Sequence, residues 1–156
     1  MSSENKQLIR QMYDAFQRGD IDTILKNLTE DFAWNLPGPA PFAGQRSGRE
    51  GMRAFFTEMM AAAELDQFDV DEILGDGEKV VVLGRQRATV RATGAKYSTD
   101  FAHVWTLRGG KVSHGVVFED TNAAGAAFGE SSRERQALTG SLGVTHPAFS
   151  GRGNPE

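Results

Sequence analysis

The chain has 156 residues, a length that suits one domain able to bury a core without disulfide or metal staples. Hydrophobic residues make up 39% and charged residues 24%, and the net charge is −4, so neither disorder nor a basic nucleic-acid footprint is expected. There is no cysteine, which excludes disulfides, thiolate metal sites and thiol nucleophiles.

Leu8, Ile9, Met12, Tyr13 and Phe16 recur at three- and four-residue spacing and predict an amphipathic helix. Gly19 ends it, and Asp20 caps a second short helix with Ile21, Ile24, Leu25 and Leu28 on its inner face. From Asp31 to Leu36, Phe32, Trp34 and Leu36 alternate with Asp31, Ala33 and Asn35, the period of a strand. Pro37, Gly38, Pro39 and Pro41 end that strand in an extended loop. Ser47 and Glu50 have capping-box spacing, and Met52, Phe55, Phe56, Met59 and Met60 make the apolar stripe of a third helix.

Beyond Glu64 the period changes from helix to strand. Four strands are expected: Leu65 to Leu74, Lys79 to Ala92, Tyr97 to Arg108 and Lys111 to Asp120, with turns at Asp76-Gly77, Gly94 and Gly109-Gly110. Short turns make them an antiparallel meander, and helices followed by strands predict an α+β domain with helices on one face of a curved sheet. From Asn122 onward Gly, Ala and Ser dominate without a sustained period. The expected division is a domain over 1–121 and a C-terminal extension over 122–156, partly ordered or mobile, with a short helix near Ser132 to Leu138.

Strand parity places the candidate pocket. Phe101, His103 and Trp105 share one face of their strand; Ser113, Gly115, Val117 and Glu119 share a face of the next; Gln86, Ala88 and Val90 do so on the strand before. Trp34 and Leu36, with Met12, Tyr13, Phe16, Phe55 and Met59 from the helices, close an apolar space with few polar groups, the profile of a small-molecule site. Arg85, Arg87 and Arg91 have the opposite parity and fall outside it. His103 and Glu119 are the candidate catalytic pair, an imidazole that titrates near neutrality with a carboxylate as its partner. A meeting of these two would mark an enzyme; a pocket filled by Trp34, Phe55 and Trp105 would mark a structural or binding role. His103, His114 and His146 are scattered, so no metal site is expected, and no glycine loop suits a dinucleotide, so no cofactor is expected. No apolar run approaches the length of a bilayer span, and MSSENKQ carries no signal pattern; the expected setting is cytoplasmic.

The element order resembles the nuclear transport factor 2-like fold, and within it the SnoaL-like polyketide cyclase and ketosteroid isomerase group. The resemblance rests on Gly19-Asp20-Ile21-Asp22, Asp31-Phe32-Ala33-Trp34-Asn35, Pro41-Phe42-Ala43-Gly44, Ser47-Gly48-Arg49-Glu50-Gly51 and His103-Val104-Trp105-Thr106-Leu107 before Gly109-Gly110-Lys111-Val112. It implies a cone-shaped sheet around a pocket, a homodimer through the outer sheet face, and a small apolar molecule as partner rather than nucleic acid or membrane. The isomerase trio of a helix Tyr, a strand-end Asp and a late-strand Asp falls here on Met12, Leu36 and His103, so that arrangement is not retained. An epoxide hydrolase-like Asp–Arg–Asp group is disfavoured by the outward arginines. The resemblance leaves a cofactor-independent isomerase or cyclase beside a non-catalytic binding or association domain.

Overall fold

The computed structural model describes residues 2–129. Its elements are α1 (Ser2–Gln17), α2 (Ile21–Lys26), β1 (Leu28–Leu36), β2 (Gly44–Ser47), α3 (Gly48–Ala62), β3 (Ala63–Asp76), β4 (Lys79–Val90), β5 (Lys96–Arg108), β6 (Lys111–Glu119) and α4 (Thr121–Ala127). The strands form one curved, unclosed sheet in the order β2-β1-β6-β5-β4-β3. β3 to β6 are the expected antiparallel meander, whereas β1 joins β6 in parallel. The α+β class is as expected.

The helices lie on the inner face of the sheet because both present apolar surface there. Ile9, Met12, Tyr13 and Ala15 of α1 are buried, as are Met52, Phe55 and Phe56 of α3. Each stripe follows the helical period. Asp20 caps α2, its carboxylate accepting from the Thr23 amide and hydroxyl. Alternation in β4 is as expected: Val80, Val82, Ala88 and Val90 are buried while Arg85 and Arg87 are exposed. Those arginines are answered within the sheet, Arg85 by Asp71 and Arg87 by the Gln67 side-chain oxygen.

Four local expectations are corrected. Leu28 begins β1 rather than ending α2, and it is fully buried. The stretch after the proline loop holds a short strand, β2, paired with β1. Ser47 is the N-cap of α3 but makes no capping hydrogen bond from its side chain. Gly48 takes φ +72°, outside the right-handed helical region, so the chain enters the helix at an angle the capping box does not allow. In β6 the register slips between Thr106 and Leu107, pairing Leu107 with Val112 and Thr106 with His114. Ser113 falls in that bulge and donates to the Thr106 carbonyl, while Val112 takes the buried position.

Thr121–Ala127 forms a helix that composition alone does not announce. Asp120 caps it by accepting from the Ala123 amide, and Phe128 at its end packs on Phe42 and Tyr97. The helix expected near Ser132 to Leu138 lies outside the described residues.

Two glycines let the inner face close. At Gly115 a Cβ would lie 2.5 Å from Trp105 Cζ3 and 3.1 Å from Trp34 Cε3. At Gly84 it would lie 2.2 Å from the Asp69 carbonyl oxygen and 2.4 Å from Phe101 Cζ. The Asp69 oxygen is backbone and cannot step aside cheaply. Gly84→Ala is therefore expected to cost about 2–3 kcal/mol, the upper part of the overpacking range, read as a lower urea midpoint at unchanged slope.

Candidate functional site

Between the sheet and the helices lies a cavity. Its volume is about 100 Å³. Met12, Tyr13, Phe16, Trp34, Leu36, Phe55, Met59, Gln86, His103, Trp105, Val117 and Glu119 line it, all of them on the inner face expected from the sequence. Val90 and Phe101 are buried on that face without lining the cavity; Phe101 instead lies flat against His103, ring centroids 4.1 Å apart. No arginine among the described residues lines it.

Phe42, Phe68 and Tyr97 also line the cavity and were not expected there. Tyr97 shares the parity of Phe101, His103 and Trp105, so extending that alternation would have found it. Phe68 sits between two register shifts in β3, after Leu65 and after Val70, where period-two counting loses its footing.

The polar centre of the cavity differs from the expected pair. His103 sits opposite Val117 in the β5–β6 ladder, and Glu119 sits opposite Phe101. The two share a face but occupy diagonal positions, about 7–8 Å apart along the backbone, and no hydrogen bond joins them. The partner of His103 is Tyr13: the hydroxyl oxygen is 2.5 Å from Nδ1. Trp105 Nε1 donates to the same hydroxyl at 2.9 Å. Helix α1 thus delivers Tyr13 to the one row of β5 that carries both polar rings.

That chain has a proton to spare. An indole only donates, so Tyr13 accepts from Trp105. If Tyr13 then donates to Nδ1, the imidazole proton is on Nε2 and unused; if Nδ1 donates instead, the Tyr13 hydroxyl proton is unused. In both cases one N–H or O–H remains without an acceptor among the described residues. Burial lowers the His103 pKa to about 3, because a charged imidazolium has no counter-charge there. His103 is accordingly neutral near pH 7. Burial likewise raises the Tyr13 hydroxyl far above its usual range, against the smaller lowering effect of Trp105.

Glu119 titrates in the opposite sense. Burial, then the neighbouring Asp120 carboxylate, raise it to about 7. Tyr97 is pushed up to about 12 by burial and by the Glu119 charge. The cavity therefore holds one neutral donor group and one carboxyl poised between its two states. Among the described residues no cluster of three or more His, Cys, Asp or Glu could hold a metal ion. No helix among them is long and apolar enough to cross a membrane.

A curled sheet closed by helices over an apolar cavity defines the nuclear transport factor 2-like class. The model of the SnoaL-like domain matches residues 9–115, and the chain belongs to that family. Among solved structures, a nuclear transport factor 2-like protein from Burkholderia xenovorans LB400 is 28% identical with a TM-score of 0.77, covering 82% of this chain and 98% of that one. A nuclear transport factor 2-like protein of unknown function from Burkholderia pseudomallei K96243 is 30% identical with a TM-score of 0.74, at 82% and 98% coverage. TerC, co-crystallised with polyporic acid, is 26% identical with a TM-score of 0.71, covering 80% and 98%. No curated protein sequence matches the chain.

The two shifted groups make opposite contributions to stability. His103 binds its proton more readily unfolded, so stability falls as pH drops from about 6.5 towards 3. Glu119 holds its proton more tightly folded, so stability falls as pH rises from about 4.5 towards 7. Glu119→Gln is expected to remove the second loss, so that denaturant midpoints of variant and parent diverge progressively between pH 5 and 7. In the same range the His103 ring resonances are expected to stay constant by NMR, while the Glu119 carboxyl carbon titrates near 7.

Proposed function

We propose that the protein binds a small, mostly apolar, carbonyl-bearing molecule in the cone and moves a proton on it, as a cofactor-independent isomerase or cyclase of the SnoaL-like group. The observation that carries this reading is the placement of two polar groups with divided roles on one apolar wall. The unused donor of the Tyr13–His103 pair meets the substrate oxygen, and Glu119 acts as base. Glu119 takes a proton from the carbon next to the carbonyl; the C–H electron pair moves into the carbonyl, and the oxygen gains charge. A neutral donor in an apolar site stabilises that charge without first giving up its own proton. Return of the proton from Glu119 to a different carbon completes an isomerisation. A carboxyl titrating near 7 suits a base that must also give its proton back. Met12, Phe16, Leu36, Phe55, Met59, Gln86 and Val117 supply the walls. The likeness to TerC, a protein co-crystallised with an organic acid, supports a ligand site in this cone.

A second reading has its own support. His103 and Glu119, whose meeting would mark an enzyme, do not meet, and Trp34 lies 5.0 Å from Phe55 and 5.6 Å from Trp105 between ring centroids, a packed aromatic trio of the kind that suits a binding domain without catalysis. The two readings separate on the ketone 2-tetralone in heavy water. The enzyme reading expects deuterium at the carbons beside the carbonyl to enter faster than in buffer. Glu119→Gln is expected to lower that catalysed rate by about 10²- to 10⁴-fold, the usual range for a general base, with binding retained. Binding of the ketone with no faster exchange would leave only the non-catalytic reading.

The same proposal includes a homodimer through the outer face of the sheet. Val81, Val104 and Val116 form one cross-strand row there, and Leu83, Ala102 and Phe118 the next. Phe118 is 56% exposed. Arg85 with Asp71 and Asp100 border this patch, so a second copy turned about a two-fold axis meets charges of both signs. Phe118→Asp is expected to convert a dimer into a monomer in sedimentation velocity; a monomeric parent protein would refute this part.

A further inference from the structure

The cavity is small for a ligand site. Ligand clefts usually measure about 300–1,000 Å³, and this one has a volume of about 100 Å³. Close-packed walls do not yield by degrees, so a ring system enters only if one of them moves. The sheet wall is held by strand ladders, and α1 is tied to β5 through the Tyr13 hydroxyl. Arg49 fastens the start of α3 by donating to the Leu25 and Leu28 carbonyls. Phe42 is a different kind of wall. It stands on the loop between β1 and β2, at residues 37–43, outside any helix or strand. Pro37, Pro39 and Pro41 stiffen that loop. Gly38 and Gly44, near its two ends, take φ +112° and +117°, where other residues are strained. A stiff segment between two pivots is the build of a flap.

One side chain reaches across to this loop. Arg46 is opposite Trp34 in the β1–β2 ladder, so it lies on the inner face at the edge of the sheet. Its guanidinium is 5.8 Å from the centre of the Phe55 ring, and Phe55 in turn meets Phe42 edge-on, centroids 6.0 Å apart. One terminal nitrogen donates to the Phe42 carbonyl at 3.2 Å and to Glu58 Oε1 at 2.7 Å; the other donates to Glu58 Oε2 at 3.2 Å. A single planar fork thus joins the loop, β2 and α3. The Arg46 side chain is 16% exposed and that of Glu58 51%, so water reaches one side of the pair. Nε is buried with no acceptor among the described residues, and the hold rests on the two terminal nitrogens.

We propose that residues 38–44 are a flap over the cone and that Arg46 is its latch, a positioning residue that sets how often Phe42 swings away from Phe55 to admit a ligand. This rests on the ligand-binding reading above for what passes the flap, and on the loop itself for the opening. Release of the Phe42 carbonyl frees the loop, while Glu58 keeps the guanidinium on α3. Opening also parts the Phe42 ring from Phe128, 5.5 Å away.

The two indole protons report the opening. Trp34 and Trp105 line the cavity, are 5% and 6% exposed, and are the only tryptophans in the chain. Their exchange with heavy water, followed by NMR, requires solvent to enter the cone. In the parent protein they are expected to exchange faster than the backbone amides of Val80 and Val82, fully buried residues of β4 between β3 and β5. Arg46→Met keeps an apolar stem and removes the fork. It is expected to speed indole exchange about tenfold, the loss of roughly one charge-assisted hydrogen bond, while the amides follow only any change in the urea midpoint. Glu58→Gln is expected to act in the same direction. Arg53→Met, which breaks an exposed pair with Asp22 on the same helix, is expected to leave the indoles unchanged. With 2-tetralone, Arg46→Met is expected to raise the association and dissociation rates together and leave Kd unchanged, because a latch present with and without ligand alters access rather than affinity. Indoles that exchange in step with Val80 and Val82, in the parent or in Arg46→Met, make Arg46 a residue of general stability and overturn the flap. Faster indole exchange with unaltered 2-tetralone rates overturns the flap as the ligand's entrance. A parent protein that shows the expected exchange but binds no 2-tetralone supports the flap and counts against the ligand-binding reading instead.

Discussion

The hydroxyl of Tyr13 is the point on which the inner face depends. It accepts from the Trp105 indole and joins His103 Nδ1, so one oxygen gives a partner to each of two polar rings on the inner face. An unpaired buried donor costs about 1–3 kcal/mol, and here a single helix residue serves both rings. The bond also ties the first helix to the fifth strand, 90 residues apart in the chain.

The same contact decides the electrostatics. His103 is stacked between Phe101 and Tyr13 with no carboxylate beside it, so desolvation acts unopposed and the ring stays neutral. Glu119, two residues further along the neighbouring strand, is near enough to the same low-dielectric space to be pushed up rather than down. Two titratable groups on one wall are thereby separated in charge: His103 stays neutral, while Glu119 titrates near 7. Had they met as an ion pair, each would have fixed the other's charge, and neither would be free for a ligand.

The comparisons place the chain in the SnoaL-like family, and the site explains why family membership alone stops short of a reaction. Fold and pocket are shared widely, while chemistry resides in a few side chains on the inner face. Here the inner face carries Tyr13, His103 and Trp105 joined through one hydroxyl, with Glu119 apart from them.

Much of the architecture was legible in the sequence because it follows from local periodicity. The helical stripe of Ile9, Met12 and Tyr13, the alternation of β4 and β5, and the turns at Asp76-Gly77 and Gly109-Gly110 are each written within a dozen residues. Parity alone brought His103, Trp105, Val117 and Glu119 to the inner face. It failed at Ser113, where one bulged residue moves the buried position to Val112, and in β3, where two shifts hide Phe68. The sequence by itself determined which residues face inward where strands and helices run without a bulge; only the tertiary structure placed the bulges and decided which inward residues meet. Tyr13 reaches His103 and Glu119 does not, because these outcomes depend on strand register and helix placement, to which local spacing is blind.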